Sequence, residues 1–275
     1  MAAVAVADFL LPEGFVAPGR RAVLREARVV TEAGRLAWSG LGVRLRRSAA
    51  TYGEDVPGDL DPVVLVPGFL AGDASLAALA RALRAEGHRT YRSRIHANID
   101  CTARSVTQLE TRLESVVARR GRRVTVVGHS LGGLLGRGLA VRRPDLVAGL
   151  VTLGSPMLAP GAHHVALTRS LDALVRLSRV GVPGLMAQEC VMGECARSSF
   201  EESRLPLPPE VSFTAIYSRR DGIVDWRACI DPLATAVEVR SSHVGMVVDP
   251  AAIRAVCGVV AAGPSLRRSA STEAG

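Results

Sequence analysis

The sequence predicts an α/β protein built on a doubly wound, mostly parallel sheet, and three observations carry that expectation. From Val63 onward, short runs of β-branched and apolar residues alternate with apolar residues at helical spacing. Strands that alternate with helices pair in parallel, because each crossover returns the chain to the same end of the sheet. Second, 275 residues with 48% hydrophobic content can bury one large core, so a single domain is expected. Third, Val124–Val127 runs through Gly128-His129-Ser130-Leu131-Gly132 directly into an apolar helical pattern. A strand–turn–helix joint with small residues on both sides of a serine is a special feature of such sheets.

Taken in order, residues 1–60 read as an N-terminal extension, with a mixed helical pattern over 21–36, a Gly-rich stretch at 39–43 and a polar linker through Asp55, Pro57, Gly58 and Asp61. The regular part covers residues 61–262. It predicts a buried strand at 63–66, a helix at 76–83, a strand at 89–95, a helix at 106–117, a strand at 123–127, a helix at 131–142 and a strand at 150–153. Gly154-Ser155-Pro156 breaks the alternation. The next strand is expected at 211–217, and a structureless loop of that length is improbable. Residues 156–210 are therefore expected to form a partly helical cap, with Leu167, Leu171, Leu174 and Ser178 at helical spacing. A last strand at 236–239, a helix at 251–260 and a polar, disordered tail at 263–275 complete the reading.

Composition narrows the classes. All of the net charge of +8 comes from arginine, since the chain holds no lysine. No aromatic-interleaved basic patch accompanies that charge, so a nucleic-acid partner is not expected. Eight arginines lie among apolar residues between Arg20 and Arg47, a pattern that suits peripheral contact with anionic lipid. No apolar run reaches the length of a membrane span. The apolar start contains Asp8 and lacks a basic n-region and a small-residue cleavage site, which suggests a cytoplasmic protein. The five cysteines show no zinc-type spacing and read as buried thiols, except that Cys190 and Cys195 are near enough in sequence to bridge if oxidised.

The chemistry-bearing residues follow from Ser130. A serine at a sharp strand-to-helix turn is lifted above the sheet, with the first N–H groups of the next helix aimed at the same point. A serine hydroxyl is a poor nucleophile at neutral pH and needs a base, and the base needs an orienting carboxylate. Asp221 and His243 follow the last two expected strands, on the rim where open α/β sheets form their sites. Asp225 is the rival carboxylate. His88, His96, His129, His163 and His164 read as packing or surface residues. An oxyanion would be held by the backbone N–H groups of Leu131 and Phe69, the latter in the loop Pro67–Asp73. No metal or organic cofactor is called for.

The segments Val66-Pro67-Gly68-Phe69, Gly128-His129-Ser130-Leu131-Gly132-Gly133, Thr152–Pro156, Tyr217–Val224 and Ser242–Met246 resemble the α/β-hydrolase superfamily, in its bacterial triacylglycerol lipase and esterase branch. The resemblance covers about residues 61–260. It implies a triad of Ser130, Asp221 and His243, an oxyanion hole of Phe69 and Leu131, and a carboxylic ester or lipid substrate with an apolar acyl group. The chain departs from that branch in carrying Pro67-Gly68 where those lipases have His-Gly. A thioesterase or amidase would use the same residues, and a non-catalytic binding protein could retain the fold.

Overall fold

The computed structural model describes residues 7–47 and 60–263. Six strands form one sheet in the order β2-β1-β3-β4-β5-β6, and every neighbouring pair is parallel. They are β1 (Val63–Val66), β2 (Thr90–Arg92), β3 (Val124–His129), β4 (Val147–Leu153), β5 (Ser212–Tyr217) and β6 (Thr235–Glu238). The helices are α1 (Val29–Arg47), α2 (Ala77–Ala85), α3 (Thr102–Arg120), α4 (Leu131–Arg142), α5 (Val165–Arg179), α6 (Gln188–Met192), α7 (Glu194–Arg204) and α8 (Pro250–Ala261). The doubly wound parallel sheet expected from the alternation is the one found.

The period-2 pattern of the central strands divides the core into two layers. Val64, Val66, Val124 and Val126 pack with Leu109, Leu113 and Val116 of α3 and Leu135 and Leu139 of α4. Val63, Leu65, Val127 and Val151 point the other way, onto α2 and α8 through Leu79, Leu83, Ile253 and Val256. With both faces covered, β1, β3 and β4 are buried throughout, which is why they read as continuous apolar runs. The strand order reverses between β1 and β3, so the loops leaving these two strands diverge and open a crevice.

One departure from the sequence reading concerns the N-terminal helix. The Gly-rich stretch 39–43 does not end a helix: α1 continues to Arg47, because Leu41, Arg44, Leu45, Arg46 and Arg47 are residue types that favour helix and offset the cost of the glycines. The described part of the extension is tied to the rest of the chain. Leu36 packs against the α2/α8 layer. Arg35 pairs with the buried Asp249 at 3.1 Å, and Arg25 Nη1 donates to the carbonyl of Asp221, so two of the eight arginines there bond inward. Residues 48–59, which include most of the expected linker, and all of the expected tail but Gly263 lie outside the described residues. No helix among the described residues is long and apolar enough to cross a membrane.

The crossover from β4 to β5 carries α5, α6 and α7, and residues of all three line a cavity together with Ser130. Cys190 and Cys195, near enough in sequence to bridge if oxidised, are free thiols like the other three cysteines, and Cys195 Sγ lies 3.4 Å from Cys101 Sγ. Cys190 and Cys195 flank the break between α6 and α7, while Cys101 comes from the start of α3.

Candidate active site

β3 ends at His129 and α4 begins at Leu131, so Ser130 alone makes the turn. Its φ of 52° and ψ of −121° are rare for an L-residue, a conformation that costs on the order of 1–3 kcal/mol and persists only where surrounding contacts impose it. Those contacts are visible. The Ser130 N–H donates to the Leu153 carbonyl at 2.8 Å, and its own carbonyl accepts from the Gly133 N–H at 3.0 Å. A Cβ on Gly128 would lie 2.5 Å from Gly133 Cα, and one on Gly132 would lie 2.6 Å from the Pro67 oxygen. Only glycine lets the strand, the turn and the β1 loop close on one another here. Three non-glycine residues among those described have positive φ, and two of them, Ser130 and Leu70, bracket this crevice.

Asp221 and His243 come from the loops after β5 and β6, and both are buried. Asp221 Oδ1 accepts the N–H groups of Ile223 and Val224, each at 2.8 Å, and Oδ2 lies 2.6 Å from His243 Nδ1. Because a carboxylate in this environment accepts, Nδ1 carries the proton and Nε2 is left with its lone pair. Burial alone would lower the basicity of His243. The charge and hydrogen bond of Asp221, with a smaller contribution from Glu26, outweigh it and raise the pKa above the ordinary histidine value.

Asp225 is turned elsewhere. Its Oδ1 accepts from Arg227 N and Nε at 3.1 and 3.0 Å, and its Oδ2 accepts from Val16 N at 3.1 Å. The structure thus brings Asp221, not Asp225, to His243. His129 stacks obliquely on His243 with ring centroids 4.9 Å apart, and its Nε2 donates to the His243 carbonyl at 3.0 Å. Burial, then the neighbouring His243, depresses its pKa to about 3, so it is a neutral strut at neutral pH. His163 and His164 are both buried and both hydrogen-bonded, His163 to Pro160 O and Thr168 Oγ1, and His164 to Ala166 N and Arg20 O.

Leu131 opens α4, so its N–H has no acceptor one turn back within the helix. In the β1 loop the amides after Phe69 are committed: Leu70 N donates to Asn98 O and Ala71 N to Gly68 O, each at 3.1 Å. Asn98, the chain's sole asparagine, also donates from Nδ2 to Pro67 O at 2.8 Å and so fixes the loop against the segment after β2. Asp73 completes the brace by accepting from Ser93 N, Ser93 Oγ and Arg94 N. Phe69 and Leu131 both line one of two cavities that meet at Ser130.

That cavity, about 160 Å³, is mostly apolar, with walls from Leu134, Leu167, Leu171, Met186 and Val191. The second, about 180 Å³, lies toward His243 and is bounded by Gly68, Leu70, His129 and Val247. Phe69, Ser130 and Leu167 belong to both.

Sequence reasoning missed the acidic residues of the N-terminal segment. Glu26 Oε1 accepts from Gly222 N and from His243 N at 3.0 Å each, and Oε2 accepts from Val244 N at 2.9 Å. Glu32, fully buried, accepts from Ser242 N at 2.9 Å and Ser242 Oγ at 2.6 Å. One carboxylate therefore ties the Asp221 loop to the His243 loop, and the second anchors the residue before His243. No local signal marks either glutamate, since each lies in an ordinary helical pattern about 200 residues from its partners.

The class this architecture defines is that of enzymes with a serine at a strand–helix elbow and an acid–histidine pair on the following loops. Residues 63–263 match the alpha/beta hydrolase family, and the chain belongs to it. It is similar to a triacylglycerol lipase of Vibrio cholerae serotype O1 (strain ATCC 39315 / El Tor Inaba N16961), 34% identical over 99 residues, which is 34% of this chain and 31% of that lipase. The match thus spans about a third of that relative's length. Among solved structures, the mature form of Bacillus licheniformis lipase BlEst2 aligns with a TM-score of 0.60 at 14% identity, covering 76% of this chain and 96% of that one. The pyrethroid hydrolase PytH aligns with a TM-score of 0.50 at 17% identity, covering 74% and 98%. At these identities the likeness is one of fold.

Proposed function

We propose that the protein is a carboxylic ester hydrolase of lipase or esterase type that works through an acyl-enzyme on Ser130. The observation that carries this reading is the strained Ser130 elbow sharing a cavity with a buried His243 whose Nδ1 is held by Asp221 at 2.6 Å. His243 Nε2 takes the Ser130 proton as the hydroxyl attacks the ester carbonyl. Asp221 keeps the tautomer and stabilises the imidazolium that forms. The Phe69 and Leu131 amides receive the oxyanion. Collapse of the tetrahedral intermediate expels the alcohol, protonated by His243, and water then hydrolyses the acyl-serine by the same route.

The two cavities suit the two halves of an ester. The leaving oxygen must receive its proton from His243, so the alcohol belongs in the cavity on that side, and the acyl chain in the apolar one under residues 156–210. This reading makes that segment a cap over a hydrolase domain of residues 61–262. The triacylglycerol lipase similarity supports an apolar acyl group. The test is a chain-length series of chromogenic esters together with fluorophosphonate labelling. Ser130→Ala should lose both hydrolysis and labelling while staying folded, because only an activated serine attacks the probe. Undiminished labelling of the alanine variant would overturn the assignment.

A further inference from the structure

Away from Ser130, three cysteines far apart in sequence converge. Cys101 precedes the first turn of α3, Cys190 lies in α6 and Cys195 in the first turn of α7, and their sulfurs all lie within 4.8 Å of one another, with Cys101 and Cys195 at 3.4 Å. We infer that Cys101, Cys190 and Cys195 form a metal site for a thiophilic d10 cation, Zn²⁺ or Cu⁺, that clamps α6 and α7 onto the start of α3. Three convergent thiols can hold Cu⁺ in trigonal coordination or fill three of the four positions of Zn²⁺, with water in the fourth, whereas a disulfide uses only two of them. A tetrahedral ion with metal–sulfur bonds of about 2.3 Å sets its sulfurs about 3.8 Å apart, so the observed cluster needs only sub-ångström adjustment. Soft thiolate donors select Zn²⁺ and Cu⁺ over harder ions.

The surroundings also bring the three thiols together. Met186 N donates to Ile99 O at 2.8 Å, which pins the segment before α6 beside the loop that leads to Cys101. Burial works to raise the Cys101 thiol, but the Arg104 and Ala103 amides at the helix start and the two neighbouring thiols outweigh it and draw its pKa down. Cys190 goes the opposite way, pushed up to about 12 by burial and by Cys101, and Cys195 is raised for the same reasons. An incoming cation displaces the thiol protons as the three sulfurs ligate it. Cys190 also lines the apolar cavity beside Ser130, so the ion would stiffen one wall of the pocket without touching Ser130.

The test uses the full chain, reduced and stripped of metal by a chelator, then titrated with Zn²⁺ against a chromophoric competitor, with Cu⁺ as a second arm and Co²⁺ as an optical reporter. One equivalent of Zn²⁺ or Cu⁺ should bind, Co²⁺ should give the intense thiolate charge-transfer absorption, and melting should shift upward with added metal. Cys195→Ser should weaken binding by about 100-fold or more, since loss even of a group that only supports a ligand costs about 10- to 100-fold. Cys101→Ser is a second variant should that one misfold, and Cys257→Ser should bind as the parent does. Absence of stoichiometric binding by either ion, or unchanged affinity in a folded Cys195→Ser protein, would overturn the proposal. So would a freshly isolated, metal-free protein in which Cys101 and Cys195 are already joined as a disulfide.

Discussion

Replacing Glu26 by glutamine tests whether the N-terminal segment positions the proposed base. The carboxylate serves three amides: Gly222 and His243 through Oε1, and Val244 through Oε2. A glutamine side chain has a single carbonyl oxygen. Placed at the Oε1 position, it keeps two acceptor contacts and sets its NH₂ against the Val244 N–H, so one donor loses its partner and the others lose charge assistance. Each orphaned donor costs about 1–3 kcal/mol when buried, and the Val244 side is reached by water, so the lower half of that range applies. A loss of about 1–2 kcal/mol lowers Tm by several degrees in a chain of this size. The kinetic effect should be larger in kcat than in KM, about 10-fold, because the His243 loop loses a strut and small displacements of a catalytic group are costly. The sign of the pH effect is fixed by charge. The protonated imidazole cannot act as base, so the acid limb of kcat/KM should lie above the ordinary histidine pKa in the parent enzyme. Removing the Glu26 charge favours the neutral imidazole and should move that limb to lower pH. The assay is a pH profile of ester hydrolysis with thermal melts on both proteins. A folded Glu26→Gln enzyme with unchanged kcat and an unmoved acid limb would refute the reasoning, because a purely structural role would not shift the limb.

Other expectations follow from the same geometry. Asp221→Asn should cut kcat by about 100-fold or more with KM little changed, while Asp225→Asn, whose partners are Arg227 and Val16, should cost under about 10-fold; the reverse ranking in initial-rate kinetics would make the acid assignment wrong. Gly132→Ala places a methyl against the backbone oxygens of Val66 and Pro67, neither of which can rotate away, so melting should report a loss of about 1–3 kcal/mol together with reduced labelling of Ser130. Leu171→Phe adds bulk to the apolar cavity and should move the preference toward shorter acyl chains in the ester series, with the rate on the shortest ester nearly unchanged; an unaltered preference would place the acyl group elsewhere.

The sequence by itself determined the strand–helix alternation, the buried runs of β1 and β3, the elbow at Ser130 and the loops that carry Asp221 and His243. These are local properties: periodicity, turn chemistry and the small residues a tight joint requires act within a few positions of the chain. Two choices that it left open were decided only by tertiary structure. Asp221 and Asp225 share one loop and are chemically alike, and what separates them is the direction each carboxylate faces once Ile223, Val224, Arg227 and Val16 are in place. The N-terminal segment read as an appendage because nothing near Glu26 or Glu32 announces a partner; their acceptors meet Gly222, Ser242, His243 and Val244 only after α1 docks on the α2/α8 layer. The same holds for Cys101, which lies 89 residues before Cys190 and joins Cys190 and Cys195 only because α6 and α7 fold back over the start of α3. Long-range contacts of this kind are fixed by how whole layers pack, and their residues carry no local pattern from which the partner could be read.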